Sequence, residues 1–88
     1  MLTPVFSNQF KKDYALSQKR QRDMDKISEV MALLIMEESL PEKHRDHPLH
    51  GGYEGTRECH IQGDWLLIYE SKGSDITFYR TGTHSDLF

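Results

Sequence analysis

The spacing of apolar residues along this 88-residue chain changes character twice, and each change marks a new kind of element. Leu2 to Phe6 reads as a short strand. Pro4 inside it has no backbone N–H to give to a ladder, which points to an edge or strand-start position. Ser7 then offers a helix N-cap, and Phe6, Phe10 and Tyr14 recur every fourth residue, on one helical face turned to a core. The opposite face carries Lys11, Lys12, Asp13, Lys19 and Arg20. A second helix is predicted from near Asp23 to about Glu38, because Met24, Ile27, Met31, Leu34 and Ile35 keep the i, i+3, i+4 spacing. Val30, Leu33 and Met36 widen that stripe until the end of the helix is apolar nearly all round. The pattern predicts a helical hairpin, linked through Gln21 and Arg22, whose second helix is covered by a sheet on one side and by its neighbour on the other.

From Ser39 to Thr56 no period survives; Pro41, Pro48, Gly51, Gly52 and Gly55 break the stretch into a long loop. Loops of this length in a compact domain usually carry function or are disordered, and this one holds His44, His47 and His50, which favours function. Strands follow. Arg57 to Gln62 alternates, Gly63-Asp64 is a hairpin turn signal, and Trp65 to Tyr69 is a continuous apolar run suited to a central strand buried on both faces. Ser71 to Ser74 reads as a second turn. Asp75 to Arg80 alternates again, with Ile76 and Phe78 on one side and Thr77 and Tyr79 on the other, before a polar tail from Thr81 to Phe88. The predicted fold is a single α+β domain over residues 1–88, in the order β-α-α-β-β-β. Two N-terminal helices pack on one face of a mostly antiparallel sheet.

Composition narrows the class. The mass is 10.3 kDa, with eleven Lys+Arg against fourteen Asp+Glu and a net charge of −3. The longest apolar run, Val30 to Met36, falls far short of the ~20 residues of a membrane span. No basic and apolar leader is visible at Met1 to Phe6, and one cysteine, Cys59, cannot form an internal disulfide. A cytosolic protein is expected. Net acidity argues against a nucleic-acid binder only until charge is placed: Lys11, Lys12, Lys19, Arg20, Arg22 and Lys26 face only Asp13, Asp23 and Asp25 in the same stretch.

Five histidines follow residue 43. A metal site would use His44-x-x-His47-x-x-His50 with Cys59-His60, but that spacing fits no established zinc pattern. Simple solvation accounts best for His44 and His50. Acid–base chemistry is the third reading, and what surrounds His60 and His84 favours it. If the strands pair in register, the Gly63-Asp64 turn approaches Arg80 and the tail. His60, Asp64, Arg80 and His84 then gather, with His47 brought in by the loop. That set holds a base, an acid and a fixed positive charge but no nucleophile, since Cys59 faces away from His60. It suits RNA cleavage, in which the substrate's own 2′-OH attacks. Trp65 reads first as a core residue and second as a stacking platform for a base; Phe88, after a polar tail, has little core to join.

Asp46-His47-Pro48-Leu49, Gly51/Gly52, Arg57, His60, Asp64-Trp65, Ile68-Tyr69 and Arg80-Thr81-Gly82-Thr83-His84, with the closing Leu87-Phe88, resemble the YafQ family of toxins. That family belongs to the RelE/ParE superfamily of bacterial type II toxin–antitoxin systems. The resemblance covers nearly the whole chain and implies a RelE-like fold. It also implies a ribosome-dependent mRNA endonuclease acting in the A site, neutralised by a DinJ-like antitoxin. The toxin alone would be monomeric, with higher assembly on its antitoxin, and would need no metal or cofactor. Matched by position, the family's catalytic residues fall on His47, His60, Asp64, Arg80 and His84, and its nucleotide-positioning residues on Trp65 and Phe88. The roles implied are His47 as general base, with Asp64 or His60 as alternates, Arg80 on the scissile phosphate, and His84 as acid to the 5′-O. Two rivals remain: a ParE-like toxin that acts on DNA gyrase by contact, and a relative that binds its antitoxin without cutting.

Overall fold

A computed structural model describes all of residues 1–88. Strand β1 (Thr3–Phe6) leads into helices α1 (Asn8–Lys19) and α2 (Met24–Ile35). Strands β2 (His47–Pro48), β3 (Arg57–Gln62), β4 (Trp65–Lys72) and β5 (Asp75–Gly82) follow, then the one-turn helix α3 (His84–Leu87). The sheet order is β1-β5-β4-β3-β2; β1 lies parallel to β5 and the other neighbours are antiparallel. The expected α+β order is present, with additions. The long loop contributes the two-residue strand β2, and the polar tail closes into α3. β4 runs on to Lys72, so the second turn is Gly73-Ser74 alone. Gly63 (φ 56°) and Gly73 (φ 62°) supply the left-handed conformation that both tight turns require.

Both long helices start as their caps dictate: the Ser7 hydroxyl accepts from the Phe10 N–H, and the Asp23 carboxylate from the Asp25 N–H. Both also end in the same way. Arg22 N–H reaches Ser17 C=O and Gln21 N–H reaches Gln18 C=O, while Glu38 reaches Leu33 and Glu37 reaches Leu34. These paired bonds demand a left-handed residue just past each helix, filled here by Gln21 (φ 60°) and Glu37 (φ 61°) rather than glycine. The apolar stripe therefore stops being helical at Ile35, short of the expected Glu38. Gln21→Gly should raise stability by roughly 0.5–1 kcal/mol, because glycine removes the left-handed penalty. A thermal melt should rise by a few degrees; an unchanged or lower midpoint would contradict this.

The main core lies between the helices and one sheet face: Phe10, Ile27, Val30 and Leu34 against Cys59, Trp65, Leu67, Ile76 and Phe78. α1 packs on β5 and α2 on β3. They do not cover one another as expected. An open apolar groove of about 450 Å³ runs between them, lined by Phe6, Phe10, Tyr14, Met31 and Ile35. Leu66, Ile68 and Leu87 form a second small cluster on the other face, so Trp65 to Tyr69 is buried on both sides, as its composition predicts.

Two irregularities set what the second face displays. The β3–β4 register shifts between His60 and Gln62, and the β4–β5 register shifts between Ile68 and Tyr69. In the latter, Ile68 pairs with Arg80 and Tyr69 with Phe78, leaving Tyr79 as the extra residue of a bulge. Unbroken alternation from Ile76 and Phe78 would have aimed Arg80 at the helices. The bulge turns it to the opposite face.

Candidate active site

Residues directly opposite one another in a sheet share a face. Register therefore builds one row of His47, Glu58, Ile68 and Arg80 across β2 to β5, and a second of His60, Leu66 and Gly82. Both rows lie on the face that α1 and α2 leave open.

His47 reaches this face because its loop is tied down on either side. Asp46 Oδ1 accepts from the Tyr69 hydroxyl at 2.7 Å and from Arg57 Nε at 3.1 Å, and His44 Nδ1 bonds the His60 carbonyl at 2.7 Å. His44 is thus a loop anchor rather than a solvated bystander, while His50 is exposed. His47 Nδ1 bonds the carbonyl of left-handed Arg45 at 2.5 Å, which makes Nδ1 the donor and turns Nε2 to the site. His47 Nε2 stands 3.7 Å from Glu58 Oε1, and His60 Nε2 stands 3.6 Å from the same oxygen. Glu58 is buried, so a carboxylate shared by two imidazoles forms the floor of the site.

His84, first residue of α3, gives Asp64 Oδ1 both its backbone N–H, at 3.3 Å, and its Nδ1. Those bonds hold the Asp64 carboxyl below the usual carboxylate range. The His84 ring lies 6.1 Å from His60 on one side and 6.1 Å from Phe88 on the other, and Phe88 stands edge-on to Tyr53 at 5.3 Å. Phe88 is 60% exposed.

Arg80 arrives already paired. Its Nε and Nη2 donate to Asp13 at 2.7 and 3.3 Å, and those bonds to the Asp13 carboxylate raise its pKa further. Asp13 also accepts from the Thr81 N–H and is buried, which corrects its expected place on the solvent face of α1 among the lysines. Trp65 needs correction as well. It is 1% exposed, its Nε1 donates to Thr81 Oγ1 at 2.9 Å, and the Arg22 guanidinium stands 5.5 Å from its ring centre. No base can stack on it in this conformation, so the core reading holds.

The register thus brings His47, His60, Asp64 and His84 together, with Phe88 beside them and Arg80 on the same face but across β4 from Glu58. His44, His47 and His50 form no cluster able to hold a metal. Cys59 is fully buried and desolvation pushes its thiol up to about 12, which removes it as a nucleophile. Three residues escaped the sequence: Glu58, Asp13 and Tyr53. The signals were there, since Glu58 is two residues from His60 on a strand and Asp13 three from Phe10 on a helix.

A profile described as "Bacterial toxin of type II toxin-antitoxin system, YafQ" matches residues 2–88. The chain belongs to the YafQ toxin family. Among its YafQ relatives, one from Escherichia coli K12 is named "mRNA interferase toxin YafQ". It is 45% identical over 84 residues, 94% of this chain and 91% of the relative. The crystal structure of YafQ from E. coli BL21(DE3) superposes with a TM-score of 0.95 at 42% identity, covering 100% of this chain and 99% of that one. YafQ in the E. coli DinJ–YafQ complex gives 0.93 at 43% identity, covering 100% and 99%. No helix of this chain is long and apolar enough to cross a membrane.

Proposed function

We propose that this chain is an mRNA interferase, the toxin of a type II toxin–antitoxin pair, and that it cuts ribosome-bound message in the A site through attack by the substrate's 2′-OH. The observation that carries this reading is the presence, on one open face of a YafQ-family fold, of two oriented imidazoles: His47, its Nδ1 held by a backbone carbonyl, and His84, its Nδ1 held by the Asp64 carboxylate. Two histidines of that kind supply the base and the acid for a reaction in which the substrate provides its own nucleophile.

His47 Nε2 takes the 2′-OH proton, because Nδ1 is already committed to the Arg45 carbonyl. Buried Glu58 then faces the imidazolium so formed. The 2′-oxygen bonds to phosphorus as the bond to the 5′-oxygen breaks, and His84 Nε2 donates its proton to that leaving oxygen. The products are a 2′,3′-cyclic phosphate and a 5′-hydroxyl. Asp64 is the orienting carboxylate of His84; its lowered pKa makes it a poor proton acceptor, which favours His47 and His60 as the candidates for base. Asp13 fixes the Arg80 guanidinium through Nε and Nη2, and Nη1 is left to meet developing charge on phosphate. With Trp65 in the core, nucleotide stacking falls to Phe88, braced by Tyr53. Lys11, Lys12, Lys19 and Lys26 are exposed along α1 and α2 and give an otherwise acidic chain its face for ribosomal phosphates. A DinJ-like antitoxin is the neutralising partner, in the cytoplasm.

Inducible expression with mapping of mRNA 5′ ends tests this. Wild type should arrest growth and create new 5′ ends inside reading frames, and a His47→Ala/His84→Ala double variant should create none. Growth arrest without new ends would favour the gyrase-directed alternative.

A further inference from the structure

Helix α3 carries His84 at its start, yet a four-residue helix has almost no stability of its own. Asp86 gathers what holds it. Its Oδ2 accepts from the Thr83 N–H at 2.9 Å while the Thr83 hydroxyl accepts from the Asp86 N–H at 3.2 Å, a closed capping box. The same carboxylate receives Arg20 from the end of α1, Nη1 to Oδ2 at 2.7 Å and Nη2 to Oδ1 at 3.4 Å. Gly82 is what lets the carboxylate sit there, since a Cβ at that position would stand 2.9 Å from Asp86 Oδ2. Segment 83–86 is thereby held from two sides: Asp64, in the β3–β4 turn, grips His84, and Arg20, at the end of α1, grips Asp86.

We propose that Arg20 and Asp86 form a latch that positions His84 for proton donation, a role that rests on the cleavage reading above. Both are positioning residues; neither faces the reacting atoms. The latch acts through backbone: Asp86 fixes the Thr83 N–H, which sets the start of α3 and so the angle at which the His84 ring meets Asp64. Leu87 and the Tyr53 hydroxyl, bonded to the Leu87 carbonyl at 2.9 Å, hold the far end of the same turn. An ion pair as exposed as Arg20–Asp86 adds little to global stability. Its loss should therefore appear in turnover before it appears in melting.

The test uses the whole toxin on ribosome-bound message, beside a titration followed by carboxyl 13C NMR. Arg20→Gln breaks the pair and spares the capping box, Asp86→Ala removes both, and Lys72→Gln removes one exposed charge at the far end of β4 without touching the latch. The latch predicts a kcat loss of about threefold for Arg20→Gln and about tenfold or more for Asp86→Ala, each with KM within about twofold. Lys72→Gln should keep kcat, and Arg20→Lys should recover part of what Arg20→Gln loses. In both latch variants the Asp64 titration should move up toward the ordinary carboxylate range, as its bond to His84 loosens. Wild-type kcat in Asp86→Ala, or an Asp64 midpoint that does not move, would overturn the latch. So would an Arg20→Gln defect confined to KM, the mark of a phosphate contact. If wild type cuts no message the cleavage reading fails, while the Asp64 titration still decides the latch.

Discussion

Alanine at position 84 is expected to slow message cleavage by about 10²–10⁴-fold, the range for a lost general acid, while leaving the fold intact. The fold survives because the His84 side chain is 56% exposed and makes one hydrogen bond, to an equally open Asp64. Turnover does not, because nothing else on the open face is oriented as His84 is. His60, 6.1 Å from it, bonds weakly to the Gly63 carbonyl at 3.4 Å and shares Glu58 with His47, so it is poorly placed to substitute. Single-turnover cleavage at matched ribosome concentration reads the effect directly. A rate within threefold of wild type would remove His84 from the mechanism. Asp64→Asn should fall between the two, since it keeps a hydrogen-bond acceptor and loses the charge. The pH dependence has a definite sign. Because the Asp64 pKa lies below its ordinary value, its bond to His84 is fully present above the ordinary carboxylate range and is lost only as pH falls through the lower, folded value. Wild-type turnover should thus show no Asp64-linked loss between pH 7 and about pH 5.

The second large effect concerns stability. Trp65→Ala should cost about 3–5 kcal/mol, the usual price of emptying a buried tryptophan site. In an 88-residue domain that is a large share of a total near 0.05–0.15 kcal/mol per residue. Trp65 fills the main core beneath β4, and its loss would also remove the Nε1 donor from Thr81 Oγ1, whose hydroxyl would keep only its bond to the Leu66 carbonyl. Trp65→Phe keeps most of the volume and gives up the hydrogen bond, so it should cost only about 1–2 kcal/mol. Urea denaturation gives both values. The decisive comparison is cleavage per folded molecule: Trp65→Phe should match wild type, whereas Phe88→Ala should bind and turn over message poorly at unchanged stability. A Trp65→Phe protein that is stably folded but fails to cut would return Trp65 to the substrate.

Most of the elements were legible because their periods are strong. The i, i+3, i+4 stripe of α2 and the unbroken Trp65 to Tyr69 run each exclude the other kind of element. Shorter pieces were not. Two residues of β2 and four of α3 span too little chain to show a period, and only the Thr83…Asp86 pair marks α3 locally. Asp13 was assigned to solvent because charge on a helix usually belongs there. It is buried because Arg80 and the Thr81 N–H, 67 and 68 residues away, meet it.

The sequence by itself determined the α+β order and the buried central strand, since local periodicity is written into the chain, while the resemblance of its motif residues carried the family and the histidines and carboxylate worth watching. Tertiary structure alone decided how those groups meet. Two bulges set which face His60 and Arg80 occupy, a left-handed Arg45 sets which nitrogen His47 offers, and burial took Trp65 from the site and made Glu58 its floor. The reason is physical: one extra residue in a strand reverses every side chain beyond it, and that residue is visible only once the neighbouring strand is in place.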